Sequence, residues 1–93
     1  MLPQKIKIGA HLISVLVVSP ENMSGDAVSE FSPVLNQIRV RNDLSETQIE
    51  SAFLHEIFHA LNYTYGTNDN EHAIIEFWAQ GLYQVLKENK LKF

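Results

Sequence analysis

The chain has 93 residues, 45% hydrophobic and 19% charged, with 7 Lys and Arg against 11 Asp and Glu for a net charge of -4. This is an ordinary globular composition with enough chain for one core and not for two, so a single domain over residues 1–93 is expected. The acidic balance excludes nucleic acid as a direct ligand, and the absence of cysteine excludes disulfides, thiolate metal sites and a cysteine nucleophile, which leaves His, Asp and Glu for any metal and fits a reducing, cytoplasmic setting.

The first elements read as strands. In KIKIGAHLISVLVV, Lys5-Ile6-Lys7-Ile8 alternates polar and apolar, Gly9-Ala10 interrupts, and a β-branched run follows from Leu12 to Val18. A β-hairpin is predicted. The run from Leu12 to Val18 falls far short of the roughly 18–20 residues of a membrane span. Lys5 and Lys7 before it and Ser19-Pro20 after it imitate a signal peptide, but a short valine-rich segment reads better as a strand. A turn-rich connection from Ser19 to Asp26 leads to a weaker strand near Ala27–Phe31, broken at Ser32-Pro33. NQIRVRN then places Ile38 and Val40 on one face, and Gln37, Arg39 and Arg41 on the other. The expected result is a small antiparallel sheet of three or four strands covered on one side.

At Leu44 the pattern changes. Ser45 is the predicted N-cap, Gln48 its capping-box partner, and Leu44 and Ile49 the hydrophobic staple. The helix is predicted from about Glu46 to Tyr63–Tyr65, with Gly66 as C-terminal cap. The polar loop GTNDN precedes a second helix, from about Glu71 to Asn89, capped by Asp69 or Asn70. Its apolar stripe comprises Ile75, Trp78, Ala79, Leu82, Val85 and Leu86. So short a loop folds the second helix back near the first. No helix-turn-helix, repeat or linker interrupts this α+β order.

Inside the first helix lies HEIFH, His55 to His59. Residues four apart share a helix face, so the two imidazoles can grip one metal ion, and Glu56 stands beside them in the position of a general base. With eight glutamates and four histidines, composition alone predicts roughly 0.01 such strings in the chain. Leu54, Ile57, Phe58 and Leu61 are the predicted buried side, flanked by the histidines. The competing expectation is a pair of surface or half-buried histidines beside a solvated glutamate. Zinc needs a third protein ligand, expected from the second helix. Taking Ile75 as zero, Glu71 lies at about -40°, His72 at about 60° and Glu76 at about 100°. Glu76, on the flank of the apolar stripe, is the first candidate, Glu71 the alternative and His72 the third.

HEIFHAL, the polar loop and EHAIIEFWAQGLYQVLKEN resemble the small zincin-like metallopeptidases of phages and prophages, related to the ImmA/IrrE type; KIKIGAHLISV and NQIRVRNDLSE are similar to that family's N-terminal sheet. The resemblance covers Gln4 to Asn89. It implies a minimal gluzincin, with an antiparallel sheet whose edge strand receives an extended peptide, an active-site helix and a glutamate helix. It also implies His55 and His59 as Zn2+ ligands and Glu56 as catalytic base, while leaving the third ligand open. The expected activity is that of a zinc-dependent metallopeptidase, a hydrolase acting on a protein or peptide substrate without nucleic acid or membrane. The alternative is a catalytically inactive zincin-like metal-binding module working through protein-protein interaction. Tyr63, Tyr65 and His11 are candidate oxyanion donors.

Overall fold

The computed structural model describes residues 2–65 and 81–89. Four strands, β1 (Lys5–Ile8), β2 (His11–Val18), β3 (Ser29–Ser32) and β4 (Gln37–Arg41), precede the helix α1 (Glu46–Tyr65). A second helix, α2, is described over residues 81–88. The architecture is α+β, as expected.

β1 and β2 form the predicted hairpin, pairing Ile8 with His11 across Gly9-Ala10. Gly9 has φ +59, and a positive φ at the first central residue suits a two-residue type II′ turn, which glycine adopts without a Cβ penalty. A Cβ there would also lie 2.5 Å from the Tyr65 hydroxyl oxygen, so a larger residue would make the Tyr65 side chain shift, while the positive φ is what calls for glycine. Ser32 ends β3 before Pro33, and Asn36, at φ 51, occupies the left-handed region just before β4. Asparagine is among the few residues that tolerate it.

The strand order is β1-β2-β4-β3. β1 with β2 and β3 with β4 are antiparallel, but β2 and β4 run parallel, with Val15 opposite Ile38. The sheet is therefore mixed, where an antiparallel one was expected. The connection from Val18 to Ser29, through a short 3-10 turn at Pro20–Asn22, carries β3 one strand position beyond β2. The β3–β4 hairpin then returns β4 into the gap.

Alternation decides the faces. Ile6, Ile8, Ile13, Val15, Ile38 and Val40 are buried together against Phe53, Ile57, Ala60 and Leu61 of α1. On the other face Leu12 and Leu16 are exposed and Arg39 lies 3.9 Å from Glu30. The sheet is covered on one side, as its pattern predicts.

The capping box at the start of α1 is closed in both directions. The Ser45 N–H donates to Gln48 Oε1 at 3.0 Å, and the Gln48 N–H donates to Ser45 Oγ at 3.3 Å. The staple residues Leu44 and Ile49 both pack on the core. Replacing Ser45 with alanine is expected to cost about 1 kcal/mol, measured as a lower urea midpoint with an unchanged slope. An unchanged midpoint would show that the staple alone sets the start of the helix.

α2 folds back on α1 at Gly81, where a Cβ would lie 2.7 Å from Leu61 Cδ2. Val85 enters the core fully and Leu82 packs against it. The side-chain amides of α2 reach the outer edge of β1: Asn89 accepts from the Lys7 N–H at 2.7 Å and donates to the Lys7 carbonyl at 3.0 Å. Gln84 donates to the same carbonyl at 3.2 Å. With the Lys7 groups taken in this way, this part of the β1 edge is closed to another strand. The expected Gly66 cap, the Asp69 or Asn70 cap, the start of the second helix and Ile75, Trp78 and Ala79 of its stripe lie outside the described residues. No helix among the described residues is long and apolar enough to cross a membrane.

Candidate metal centre

α1 carries HEIFH in its middle, three turns beyond the cap. The buried residues of the helix are Phe53, Glu56, Ile57, Ala60 and Leu61. Leu54 and Phe58, expected on the buried side, are only half-buried, because the helix presents its smaller Ala60 and the adjoining Phe53 and Ile57 to the sheet. His55 and His59 are exposed, outside the buried arc, as the helical wheel requires.

The two imidazoles face each other. His55 Nε2 and His59 Nε2 are 3.0 Å apart, with the rings inclined at 73°. Zinc binds imidazole nitrogen at about 2.0–2.1 Å, so one ion equidistant from both atoms would subtend roughly 95°, somewhat under tetrahedral. The pair therefore fits a shared metal with little adjustment. Without an ion the same spacing suits an N–H···N hydrogen bond between one ring protonated at Nε2 and one that is not.

Glu56 is not the solvated glutamate of the competing expectation. It is 4% exposed, the one buried charged side chain among the described residues. Its Oε2 accepts a hydrogen bond of 2.6 Å from Ser29 Oγ of β3. A carboxylate in such a place needs a donor, and the register of β3 supplies one: Ser29 lies opposite Val40 and Phe31 opposite Ile38, so both side chains point toward the helix. Sequence reasoning missed Ser29. The weak alternation of β3 marked a strand without marking which residue would meet Glu56.

Ser29, Phe31, Pro33, His55, Glu56, His59 and Tyr63 enclose a pocket of about 380 Å³. Tyr63 stands at its rim, with its ring edge-on to Phe31 at 6.0 Å. A larger hollow of about 610 Å³ continues from it along the first half of α1, over Leu44, Thr47 and Ala52, and shares Ser29 and His55 with the first. Of the three candidate oxyanion donors, only Tyr63 lines this pocket. The Tyr65 hydroxyl is at the Gly9 turn, and His11 pairs with Ile8 at the start of β2.

The backbone of β3 adds a second feature. The Arg41 N–H donates to the Val28 carbonyl at 3.1 Å, which makes Val28–Arg41 a hydrogen-bonded pair. Bonded and non-bonded pairs alternate along an antiparallel ladder. Ser29 and Phe31 therefore turn their N–H and C=O groups away from β4, toward the outer edge of β3, where no described strand pairs with them.

Glu76, Glu71 and His72, the candidates for a third ligand, lie outside the described residues. Among the described residues no group of three His, Asp or Glu side chains converges on one point. Comparison with protein-family models, with curated protein sequences and with solved structures returns no match to the chain.

Proposed function

We propose that this chain is a zinc-dependent peptidase, with His55 and His59 as two ligands, Glu76 or alternatively Glu71 completing the set, and Glu56 as the general base. The observation that carries the reading is a pair of Nε2 atoms 3.0 Å apart that line one pocket together with Glu56. Bound zinc supplies Lewis-acid polarisation of the scissile carbonyl and a lowered pKa for water. The residues of the chain do the rest. The outer edge of β3, unpaired among the described strands, pairs with an extended peptide through Ser29 and Phe31, which lays its backbone along the two hollows. Glu56 takes the proton of the attacking water and passes it to the departing amine nitrogen. Tyr63, at the pocket rim, is placed to donate to the carbonyl oxygen as charge builds there.

One observation favours a second reading. Glu56 is buried and held by Ser29, as in a metal-binding module in which the carboxylate serves packing and the chain acts by protein-protein contact. Zinc content and cleavage of casein by the purified protein separate the two. Stoichiometric zinc with casein cleavage supports the peptidase; stoichiometric zinc without turnover supports the module; a chain that takes up no zinc supports neither.

A further inference from the structure

We infer that Ser29 is a positioning residue that couples the seating of the peptide to the setting of Glu56, an inference that rests on the peptidase reading. Three observations meet at this residue. Its hydroxyl donates to Glu56 Oε2 at 2.6 Å. Its backbone N–H and C=O, by the parity of the β3–β4 ladder, face the outer edge of β3, where no described strand pairs and an extended peptide would. It also lines both hollows, so it stands with His55 at their junction, the middle of the trough.

One residue thus makes two kinds of contact with two different partners. A peptide strand added to β3 hydrogen-bonds the Ser29 backbone directly and so acts on the residue whose hydroxyl already holds Glu56 Oε2. That hydrogen bond leaves the other carboxylate oxygen, Oε1, for the attacking water. Backbone pairing survives any side-chain replacement except proline, whereas the grip on Glu56 depends on the hydroxyl alone. Affinity and turnover should therefore respond separately to substitution.

The test compares the zinc-loaded wild type, Ser29→Ala and Ser29→Thr, using a synthetic peptide that spans a casein bond cleaved by the wild type. Loss of a hydrogen-bonding partner behind a reacting group costs about 10–100-fold. Ser29→Ala is expected to lower kcat by that factor while KM changes less than about threefold, since the backbone pairing is intact. Ser29→Thr, which keeps a hydroxyl and suits a strand, is expected to restore most of kcat. In metal-free protein, the side-chain carboxyl 13C signal of Glu56 should move when the peptide is added to the wild type and stay in place with Ser29→Ala. Wild type that carries zinc and cleaves no casein overturns the peptidase reading and this inference with it. Cleavage by the wild type with equal kcat in Ser29→Ala, a Ser29→Thr variant as slow as Ser29→Ala, or an immobile Glu56 signal in the wild type overturns this inference alone.

Discussion

Glu56→Gln is expected to lower casein cleavage by about 10²–10⁴-fold, the usual contribution of a positioned general base, while zinc content stays at the wild-type level. The glutamine amide has nearly the shape of the carboxylate, and its oxygen can still accept the 2.6 Å hydrogen bond from Ser29. What disappears is the ability to take a proton. The fold should not suffer: Glu56 is 4% exposed, and replacing a buried charge with a neutral isostere removes a desolvation cost. The melting temperature is accordingly expected to hold or rise. Glu56→Leu behaves differently, because it strands the Ser29 hydroxyl without its acceptor and costs about 1–3 kcal/mol. Undiminished cleavage in Glu56→Gln would remove Glu56 from the chemistry and leave it a packing role against β3.

The features legible in the sequence are those governed by local rules. Ser45 and Gln48 announced the start of α1, and their reciprocal hydrogen bonds are present. Ile38 and Val40 alternate with Gln37 and Arg39, and only the first pair is fully buried. The i, i+4 spacing of His55 and His59 brought their rings together. Other features were hidden because they depend on which segments become neighbours. Alternation tells which face of β2 and β4 is buried, and it is silent on whether the two run parallel. That arrangement arises because β3 lands one position too far out for β2. The same displacement puts β3 at the open edge and Ser29 opposite Val40, over Glu56. The burial of Glu56 is thus a consequence of topology, and no reading of α1 alone could have found it. The wheel that put Leu54, Ile57, Phe58 and Leu61 on the buried side holds for Ile57 and Leu61, which are fully buried, while Leu54 and Phe58 are half-buried.

The two sheet edges illustrate how a fold of this size separates stability from binding. At β1 the Asn89 and Gln84 amides occupy the N–H and C=O of Lys7, which removes that edge from competition for a strand. At β3 the corresponding groups of Ser29 and Phe31 face the outer edge, where no described strand pairs with them. On the proposed peptidase reading, a peptide paired with this edge lies near His55 and Glu56, so backbone recognition and the proposed reacting groups would coincide in space.

Replacing His59 with alanine is expected to weaken zinc binding by at least about 100-fold, since losing even a residue that only hydrogen-bonds a metal ligand costs about 10–100-fold. His59 is exposed and outside the buried arc, so the metal-free variant should melt within about 0.5 kcal/mol of the wild type. The two proteins separate only when metal is added. An ion that binds the folded state alone, at 100 times its dissociation constant, stabilises by about 2.7 kcal/mol, which raises the melting temperature of a domain this size by roughly 10–20 °C. The wild type should show that rise, and His59→Ala should show almost none at the same zinc concentration. His11→Ala is the control, because His11 sits at the start of β2 and lines neither hollow; it should respond to zinc as the wild type does. Glu76→Ala and Glu71→Ala in the same assay identify the remaining ligand as the one whose loss abolishes the rise. An equal zinc response in His59→Ala and wild type would place the ion elsewhere and reduce the 3.0 Å His55–His59 contact to a hydrogen bond between two surface rings.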